Sequence, residues 1–234
     1  MTGASSGIGE AFARRLAADG FDFILVARRQ QRLATLGAEL AKAHGIRAEV
    51  LVADLTTEDG IASVEAACAR TPSLKLAINN AGFGGYAPFV ELSTSQIEAL
   101  VAIHVRAVAR ITHAAARTML AHGGGDVVNI ASLLAMSGSL PSDPLPKRAI
   151  YAGAKSFITT FSRVLAKELE ATKVRIHVCL PGVVESEFHG GHVFGPEMKA
   201  DDVVSAVLAS MSMGETVCLP PVEDPALFDQ LVAS

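Results

Sequence analysis

Residues 2–9 have the sequence TGASSGIG, and the apolar-faced segment EAFARRLAADG follows directly. Small residues let backbone N–H groups approach a phosphate, and the N-terminus of a helix favours its negative charge. The segment therefore predicts a phosphate-binding loop that runs into a helix. Clusters of glycine and serine also mark ordinary turns, so the loop by itself leaves both interpretations open. Such loops normally follow a buried strand, but only Met1 precedes this one.

The composition predicts one folded domain over residues 1–234. Hydrophobic residues make up 50% of the chain and charged residues 19%, which argues against disorder. The formal net charge of −4 argues against a nucleic-acid partner. Three scattered cysteines indicate neither a disulfide framework nor a metal site and favour a reducing compartment. With no leader and no apolar run of membrane-spanning length, we expect a cytoplasmic protein without a membrane partner.

Short apolar segments alternate with longer amphipathic ones along the chain. The short segments are apolar at nearly every position, as in strands buried on both faces. The pattern predicts a doubly wound parallel sheet with helices on both faces, including a long helix with Ser93 as its N-cap. The predicted strands are 21–27, 47–55, 74–82, 126–132, 174–182 and 215–220; the predicted helices are 30–45, 57–70, 93–125, 151–171, 201–211 and a short terminal one.

Two arginines, Arg28 and Arg29, follow Ala27 at the end of the strand predicted over 21–27. In dinucleotide sites an acidic residue near this point binds the ribose 2′-OH, and the strand ends here without one. An arginine can instead bind a 2′-phosphate through charge-assisted hydrogen bonds. The segment favours NADP(H) over NAD(H), although adjacent arginines are also common at solvated helix starts.

The segment YAGAK places Tyr151 and Lys155 on one face of a predicted helix. Tyrosine has an ordinary pKa near 10, and a nearby ammonium would lower this pKa towards a range useful for acid–base catalysis. Ser132, at the end of a predicted strand, could hold a substrate oxygen. Pairs with this spacing are also common on ordinary helices, so the pair alone does not establish an active site.

Together these segments resemble the short-chain dehydrogenase/reductase superfamily, in the family's order and over nearly the whole chain. TGASSGIG resembles the TGxxxGxG loop of the family, and YAGAK resembles its YxxxK motif. ADL, NNAG and PGVVES match the family's adenine-side residue, its supporting turn and the loop over the nicotinamide. The resemblance implies a Rossmann-type fold and NADP(H) held by Gly3, Ser5, Ser6, Gly7, Ile8, Gly9, Arg28, Asp54, Leu55, Asn80, Ala81, Gly82, Tyr151, Lys155, Pro181, Gly182, Val184 and Ser186.

The resemblance also implies hydride transfer between the cofactor and a small carbonyl or secondary alcohol substrate. Tyr151 would exchange the proton, Lys155 would lower its pKa and hold the nicotinamide ribose, and Ser132 would orient the substrate oxygen. A homodimer or homotetramer is implied as well. A non-catalytic NADP-binding sensor or scaffold is the alternative.

The family's first strand, which precedes the glycine loop, is missing from this sequence. Its loss would expose the edges of two neighbouring strands. It would also remove buried apolar side chains, each worth roughly 1.5–3 kcal/mol. We therefore expect the sequence to be truncated, with an apolar strand encoded upstream of Met1.

Two further departures affect the site. His104 occupies the position of the family's relay asparagine, and it is a further catalytic candidate or simply a satisfied helical histidine. Residues 133–150 form a longer segment than usual between Ser132 and Tyr151, so that Ser137 or Ser139 could replace Ser132.

The segment 186–199 is predicted to be a substrate lid. Its two histidines, His189 and His192, lack the further ligands of a metal site, so we expect no metal. Phe83, Phe89, Leu133, Met136 and Phe194 suggest a partly hydrophobic substrate.

Overall fold

The computed structural model describes residues 1–141, 145–185, 187–189 and 197–221. All its strand pairs are parallel, as the apolar strand pattern predicts. Two strands form one sheet and four form a second, in the order of the chain. The first sheet contains β1 (Phe23–Ala27) and β2 (Ala48–Val52); the second contains β3 (Leu76–Asn79), β4 (Gly125–Ile130), β5 (Val174–Cys179) and β6 (Val217–Cys218).

Helices cover both faces of the strands. Adjacent residues of β4, Val127 and Val128, belong to two different core clusters because successive side chains of a strand point to opposite faces. The Rossmann-type α/β fold with helices on both faces is therefore confirmed. The helices are α1 (Gly7–Ala18), α2 (Gln30–His44), α3 (Glu58–Ala69), α4 (Thr94–Val101), α5 (Ala107–Ala121), α6 (Ala149–Glu168) and α7 (Ala200–Ser212).

Met1 and Thr2 occupy the gap between the two sheets, where the family's first strand is expected. The Met1 carbonyl accepts a hydrogen bond from the N–H of Val26 in β1 (2.9 Å), and the Thr2 N–H donates to the Ile78 carbonyl in β3 (2.9 Å). Thr2 and Val26 form an isolated parallel bridge. In the part of the chain that the structure describes, Met1 and Thr2 are thus the residues that connect β1 to β3.

The long helix predicted after Ser93 consists of three parts. Ser93 is the N-cap, as predicted, and forms a reciprocal capping box with Gln96. A five-residue π-helical segment, Ala102–Arg106, joins α4 to α5. By length and composition the helix over 94–121 could cross a membrane, against the expectation that no segment could. Because 56% of its most apolar window is buried within the protein, its apolar character is explained by core packing.

The C-terminal part differs from the sequence-based expectation in extent. The strand β6 covers two residues instead of the six predicted, and the short terminal helix lies outside the described residues. The extent of a single domain over residues 1–234 stays a prediction.

The Thr2 side chain provides a test of the junction, the contact of Met1 and Thr2 with β1 and β3. Its buried Oγ1 accepts hydrogen bonds from the N–H groups of Asn80 (3.1 Å) and Ala81 (3.2 Å). Thr2→Val removes this acceptor, and each buried donor left unsatisfied costs about 1–3 kcal/mol. We expect the free energy of unfolding in urea to fall by at least that amount. Thr2→Ser, which keeps the hydroxyl, is the matched control, and equal losses in both variants would contradict the prediction.

Candidate active site

The glycine loop is packed directly against the turn that follows β3. Gly3 has a φ of +68°, and a Cβ added there would lie 2.6 Å from Nδ2 of Asn80. A Cβ at Gly9 would lie 2.2 Å from the Gly3 carbonyl oxygen. The Asn80 side chain donates to the Thr2 and Gly3 carbonyls at 3.3 and 3.2 Å. Glycine is therefore required at these positions by close approach, and the loop leads directly into the first turn of α1.

Arg29 joins this loop to the segment after β5. Its guanidinium donates to the hydroxyls of Ser5 (2.9 and 3.0 Å) and Ser6 (2.5 Å). The same group donates to the carboxylate of Glu187, which also accepts two bonds of 2.9 Å from Arg32. These bonds lower the pKa of the Glu187 carboxyl to about 2, chiefly through Arg32, so it remains ionised. This network was not predicted, because Glu187 is 158 residues away from Arg29 in the sequence.

Arg28 and Asp54 lie on the other side of the predicted adenosine site. Arg28 is exposed. Burial raises the pKa of Asp54, but the two hydrogen bonds from Thr56 and the positive charge of Arg28 outweigh burial and hold this pKa below its ordinary value. Both side chains are thus charged and near each other at the carboxyl ends of β1 and β2.

Leu55 and Ile8, which the resemblance assigns to the cofactor site, have side chains that pack in or against the core. Leu55 is buried in the core cluster that includes Val26 and Ile61, and Ile8 packs against the cluster that includes Phe12. Both side chains take part in core packing, and their contacts with a cofactor stay predictions.

Ser132, Tyr151 and Lys155 come together at the carboxyl end of β4. Ser132 caps a short 3₁₀ helix, Leu133–Met136, where its Oγ accepts from the Leu134 N–H (3.2 Å) and hydrogen-bonds to Tyr151. Tyr151 lies in the first turn of α6 and is 5% exposed. Lys155 Nζ lies 5.5 Å from the centroid of the Tyr151 ring. The structure thus groups the three predicted catalytic residues.

The protonation of this group differs from the family-based expectation. Burial raises the pKa of Tyr151 well above its ordinary value, the neighbouring Tyr86 raises it further, and the Ser132 hydrogen bond lowers it only in part. Lys155 does not contribute the expected lowering in this state. Burial instead lowers the pKa of Lys155 to about 7, while its Nζ donates to the Ile130 carbonyl at 2.8 Å. Tyr151 is therefore a neutral phenol, which can donate a proton.

The two alternatives to Ser132 are placed elsewhere. Ser137 is buried, where it donates to the Leu134 carbonyl and accepts from the guanidinium of Arg148 (2.7 Å). Ser139 is exposed. The buried Arg148 also donates to the carbonyls of Pro146, Ser137 and Leu140, so one guanidinium holds described residues on both sides of residues 142–144.

His104 lies in the π-helical segment and is fully buried. Its Nε2 is 2.9 Å from the Phe83 carbonyl oxygen, so Nε2 carries the proton and Nδ1 is an acceptor. In the described part of the chain, Nδ1 has no hydrogen-bond partner. A Cβ on Gly82 would lie 2.4 Å from the imidazole Cε1, which fixes the ring against the NNAG turn. A π-helical segment of this kind often accompanies a functional site.

Three rings surround the Tyr151 ring. Tyr86, His104 and Phe188 have ring centroids 5.3, 5.4 and 5.9 Å from that of Tyr151. All three contacts are tilted or edge-to-face, the arrangement aromatic pairs prefer. The Tyr151 ring is therefore covered by uncharged groups on several sides, and the sequence indicated only His104 among them.

The remaining predicted residues belong to the segment after β5. The Pro181 carbonyl accepts from the Leu133 N–H (3.0 Å), Gly182 follows it, and Val184 forms an isolated parallel bridge with Met198. Ser186 and residues 190–196, including His192 and Phe194, lie outside the described residues. The lid, the absence of a metal and the contact of Ser186 stay predictions.

The apolar residues suggested for the substrate pocket divide into two groups. Phe83 and Leu133 pack against or within core clusters, whereas Phe89 is 51% exposed. Hydrophobic character alone thus did not separate core residues from pocket residues.

The chain is similar to proteins of known sequence and structure. The family described as short chain dehydrogenase matches residues 1–192. Serine 3-dehydrogenase of Agrobacterium fabrum is 32% identical over 213 residues, which cover 88% of this chain and 80% of that protein. A short-chain dehydrogenase from Sphingobium yanoikuyae, solved in complex with NADPH, has a TM-score of 0.89 at 33% identity, over 100% of this chain and 91% of the other. The bulky-bulky ketone specific alcohol dehydrogenase from Comamonas testosteroni has a TM-score of 0.87 at 29% identity, and the match covers 100% of this chain and 89% of that chain.

The buried His104 predicts a pH dependence of stability. Burial and the charge of Lys155 lower the pKa of His104 from 6.5 to about 3. Below pH 6.5 the unfolded chain takes up a proton here that the folded chain does not, so stability is lost as the pH falls from 6.5 towards 3. The loss at pH 5 is about 2 kcal/mol.

We expect the free energy of unfolding of the wild-type protein to fall more steeply below pH 6.5 than that of His104→Gln, measured by urea titration. Glutamine keeps a donor for the Phe83 carbonyl but does not titrate. If the free energies of unfolding of the wild type and of His104→Gln change with pH in parallel, the folded protein takes up the His104 proton as readily as the unfolded chain, against this prediction.

Proposed function

Because the chain belongs to the short-chain dehydrogenase family, we propose that it is an NADP(H)-dependent oxidoreductase that interconverts a carbonyl compound and a secondary alcohol. The observation that carries this proposal is the grouping of Ser132, Tyr151 and Lys155 at the strand ends beside the glycine loop. A buried neutral phenol next to a serine hydroxyl and an amine has the chemistry needed to protonate a carbonyl oxygen.

The residues of the glycine loop fit a dinucleotide. A side chain at Gly3 or Gly9 would collide with the loop or with Asn80, so the backbone there stays bare and can approach a pyrophosphate. The N-terminus of α1 favours the phosphate charge. Lys155 and Tyr151 would contact the nicotinamide ribose, and Asp54 the adenine side. When bound, the cofactor supplies or accepts the hydride.

Side chains of the protein would bind the substrate carbonyl oxygen and transfer a proton to it. In the reductive direction Ser132 donates a hydrogen bond to the substrate carbonyl oxygen, and Tyr151 transfers its phenolic proton to that oxygen as negative charge develops on it. The resulting phenolate is stabilised by the Lys155 ammonium, whose pKa of about 7 leaves it partly protonated at neutral pH. His104, with its unpaired Nδ1, could accept a hydrogen bond from a water that delivers the next proton.

The non-catalytic alternative rests on one observation: Tyr151 is only 5% exposed and is covered by three rings. A sensor or scaffold that only binds NADP would need no access to this hydroxyl. NADPH binding without turnover of any ketone or aldehyde would favour this alternative.

We propose a homodimer as the assembled form. On α6 the rings of Phe157 and Phe161 stack at 5.5 Å beside Val164, which is 52% exposed. A second copy could cover this apolar face, as the family resemblance implies, and sedimentation velocity of the purified protein tests this. The cytoplasmic location, supported by three buried unpaired cysteines, stays a prediction.

Replacing Tyr151 with Phe removes the proton donor and leaves the ring contacts in place. General acids contribute about 10²–10⁴-fold, so we expect kcat for NADPH-dependent ketone reduction to fall by that factor. NADPH affinity, measured by calorimetry, should fall by no more than about 10-fold, the effect of the one hydrogen bond that the hydroxyl would give to the ribose. Unchanged turnover would remove Tyr151 from the mechanism.

Arg28→Ala tests the cofactor preference. Because Arg28 is exposed near Asp54 and Arg29 already binds Ser5, Ser6 and Glu187, we expect Arg28 to be the residue that meets a 2′-phosphate. A lost charge-assisted bond should weaken NADPH binding about 10-fold or more and leave NADH binding nearly unchanged, as measured by calorimetry.

The matched control is Glu187→Gln, which loosens the contact between the glycine loop and residue 187. This variant should change the affinities for NADPH and NADH by the same factor. A gain in NADPH affinity relative to NADH in Glu187→Gln, where Arg29 and Arg32 lose their carboxylate partner, together with no effect of Arg28→Ala, would reassign the 2′-phosphate to Arg29 and Arg32.

A further inference from the structure

Tyr86 lies in the loop after the NNAG turn, and the backbone of this loop is built to turn its ring inward. A Cβ added to Gly84 would lie 2.5 Å from Cε2 of Tyr86, so the Tyr86 ring folds back directly over Gly84. Gly85 has a φ of +58°, a left-handed conformation that favours glycine. A Cβ there would also lie 2.9 Å from two methyl groups of Leu100. The two glycines thus fix the direction of the Tyr86 side chain.

The Tyr86 side chain is directed at the general acid. The Tyr86 and Tyr151 rings meet edge-to-face, with centroids 5.3 Å apart and planes inclined by 69°. Their hydroxyl groups also interact through a hydrogen bond. Burial raises the pKa of Tyr86 to about 12, so its hydroxyl is a neutral donor at physiological pH.

We propose that Tyr86 contacts the substrate and selects carbonyl compounds that carry a second oxygen on the carbon next to the reacting carbonyl, such as vicinal diketones. This inference rests on the oxidoreductase function proposed above. The reacting oxygen takes the hydrogen bonds of Tyr151 and Ser132, and Tyr86 reaches the adjacent oxygen. When their C–O bonds lie on the same side of the C–C bond, two oxygens on neighbouring carbons are separated by roughly the length of a hydrogen bond, ~2.8 Å, which matches two phenol hydroxyls that already interact.

The surroundings of Tyr151 favour uncharged substrates of this class. His104, on one side, is neutral, and Phe188, on another, is apolar. Lys155 is engaged with the Ile130 carbonyl. A second carbonyl or hydroxyl oxygen therefore suits the site better than a carboxylate, because a buried carboxylate would have among these groups only Lys155 as a cationic partner, and Lys155 already donates to the Ile130 carbonyl.

The test compares 1-phenyl-1,2-propanedione with propiophenone, which lacks the second oxygen, in NADPH-dependent steady-state kinetics. We expect the wild-type protein to prefer the diketone in kcat/KM. In Tyr86→Phe the diketone-to-monoketone ratio of kcat/KM should fall about 10-fold, the effect of one lost hydrogen bond, mainly through KM for the diketone. Gly84→Ala, which displaces the ring but keeps the hydroxyl, should lower the same ratio. Calorimetric NADPH affinity and the thermal midpoint establish that both variants are folded.

An unchanged ratio in Tyr86→Phe, or equal losses for both ketones, would overturn the proposal and leave Tyr86 a packing residue. A wild-type protein that reduces propiophenone as well as the diketone would also overturn it, while the oxidoreductase function would stand. A wild-type protein that reduces other ketones or aldehydes but not the diketone would overturn the proposal alone. A protein that binds NADPH but reduces no ketone or aldehyde would instead remove the function itself, and the role of Tyr86 with it.

Discussion

The hydrogen bonds of Thr2 are the constraint on which the rest of the site depends. Its backbone N–H binds β3 and the neighbouring Met1 carbonyl binds β1, so these two residues connect the two sheets. Its hydroxyl also holds the N–H groups of Asn80 and Ala81, the turn against which the glycine loop packs. Above this junction α1 contacts both α2 and α7, which lie over different sheets. Sheet continuity and the geometry of the nucleotide loop are therefore determined at the same point.

A second set of buried polar groups positions the catalytic residues. The Asn79 side chain of β3 donates to Asn129 of β4 (2.8 Å) and to Thr112 of α5 (3.0 Å), and Asn129 donates to Ser162 of α6 (2.9 Å). Such a network is stable only when every member is paired, and it fixes the register of the elements that it joins. Because α6 carries Tyr151 and Lys155, the network also determines where these side chains lie relative to the end of β4.

The sequence predicts the fold and the proximity of Tyr151 to Lys155 well because both are encoded locally. Buried parallel strands are apolar throughout, and the Tyr151–Lys155 spacing follows from one helix turn. The sequence does not predict the contacts made across the fold: Arg29 with Glu187 and Tyr86 with Tyr151 both depend on tertiary packing. The sequence-based prediction also gave too much weight to the effect of the Lys155 charge on the pKa of Tyr151. Lys155 was expected to lower the pKa of Tyr151, but desolvation dominates in the closed site and shifts both groups towards their neutral forms.

The short 3₁₀ turn Glu187–His189 contacts both the Arg29 side chain at the glycine loop and the Tyr151 ring. Glu187 is held by Arg29, which also binds the glycine loop, and the next residue, Phe188, packs on the Tyr151 ring. Adjacent residues of one turn cannot move independently over several ångströms, because the backbone between them has few free dihedrals. A ligand that shifts the backbone at Phe188 would therefore also strain the ion pairs of Glu187. The ring contact with Tyr151 and the contact with the glycine loop thus depend on the same short backbone segment.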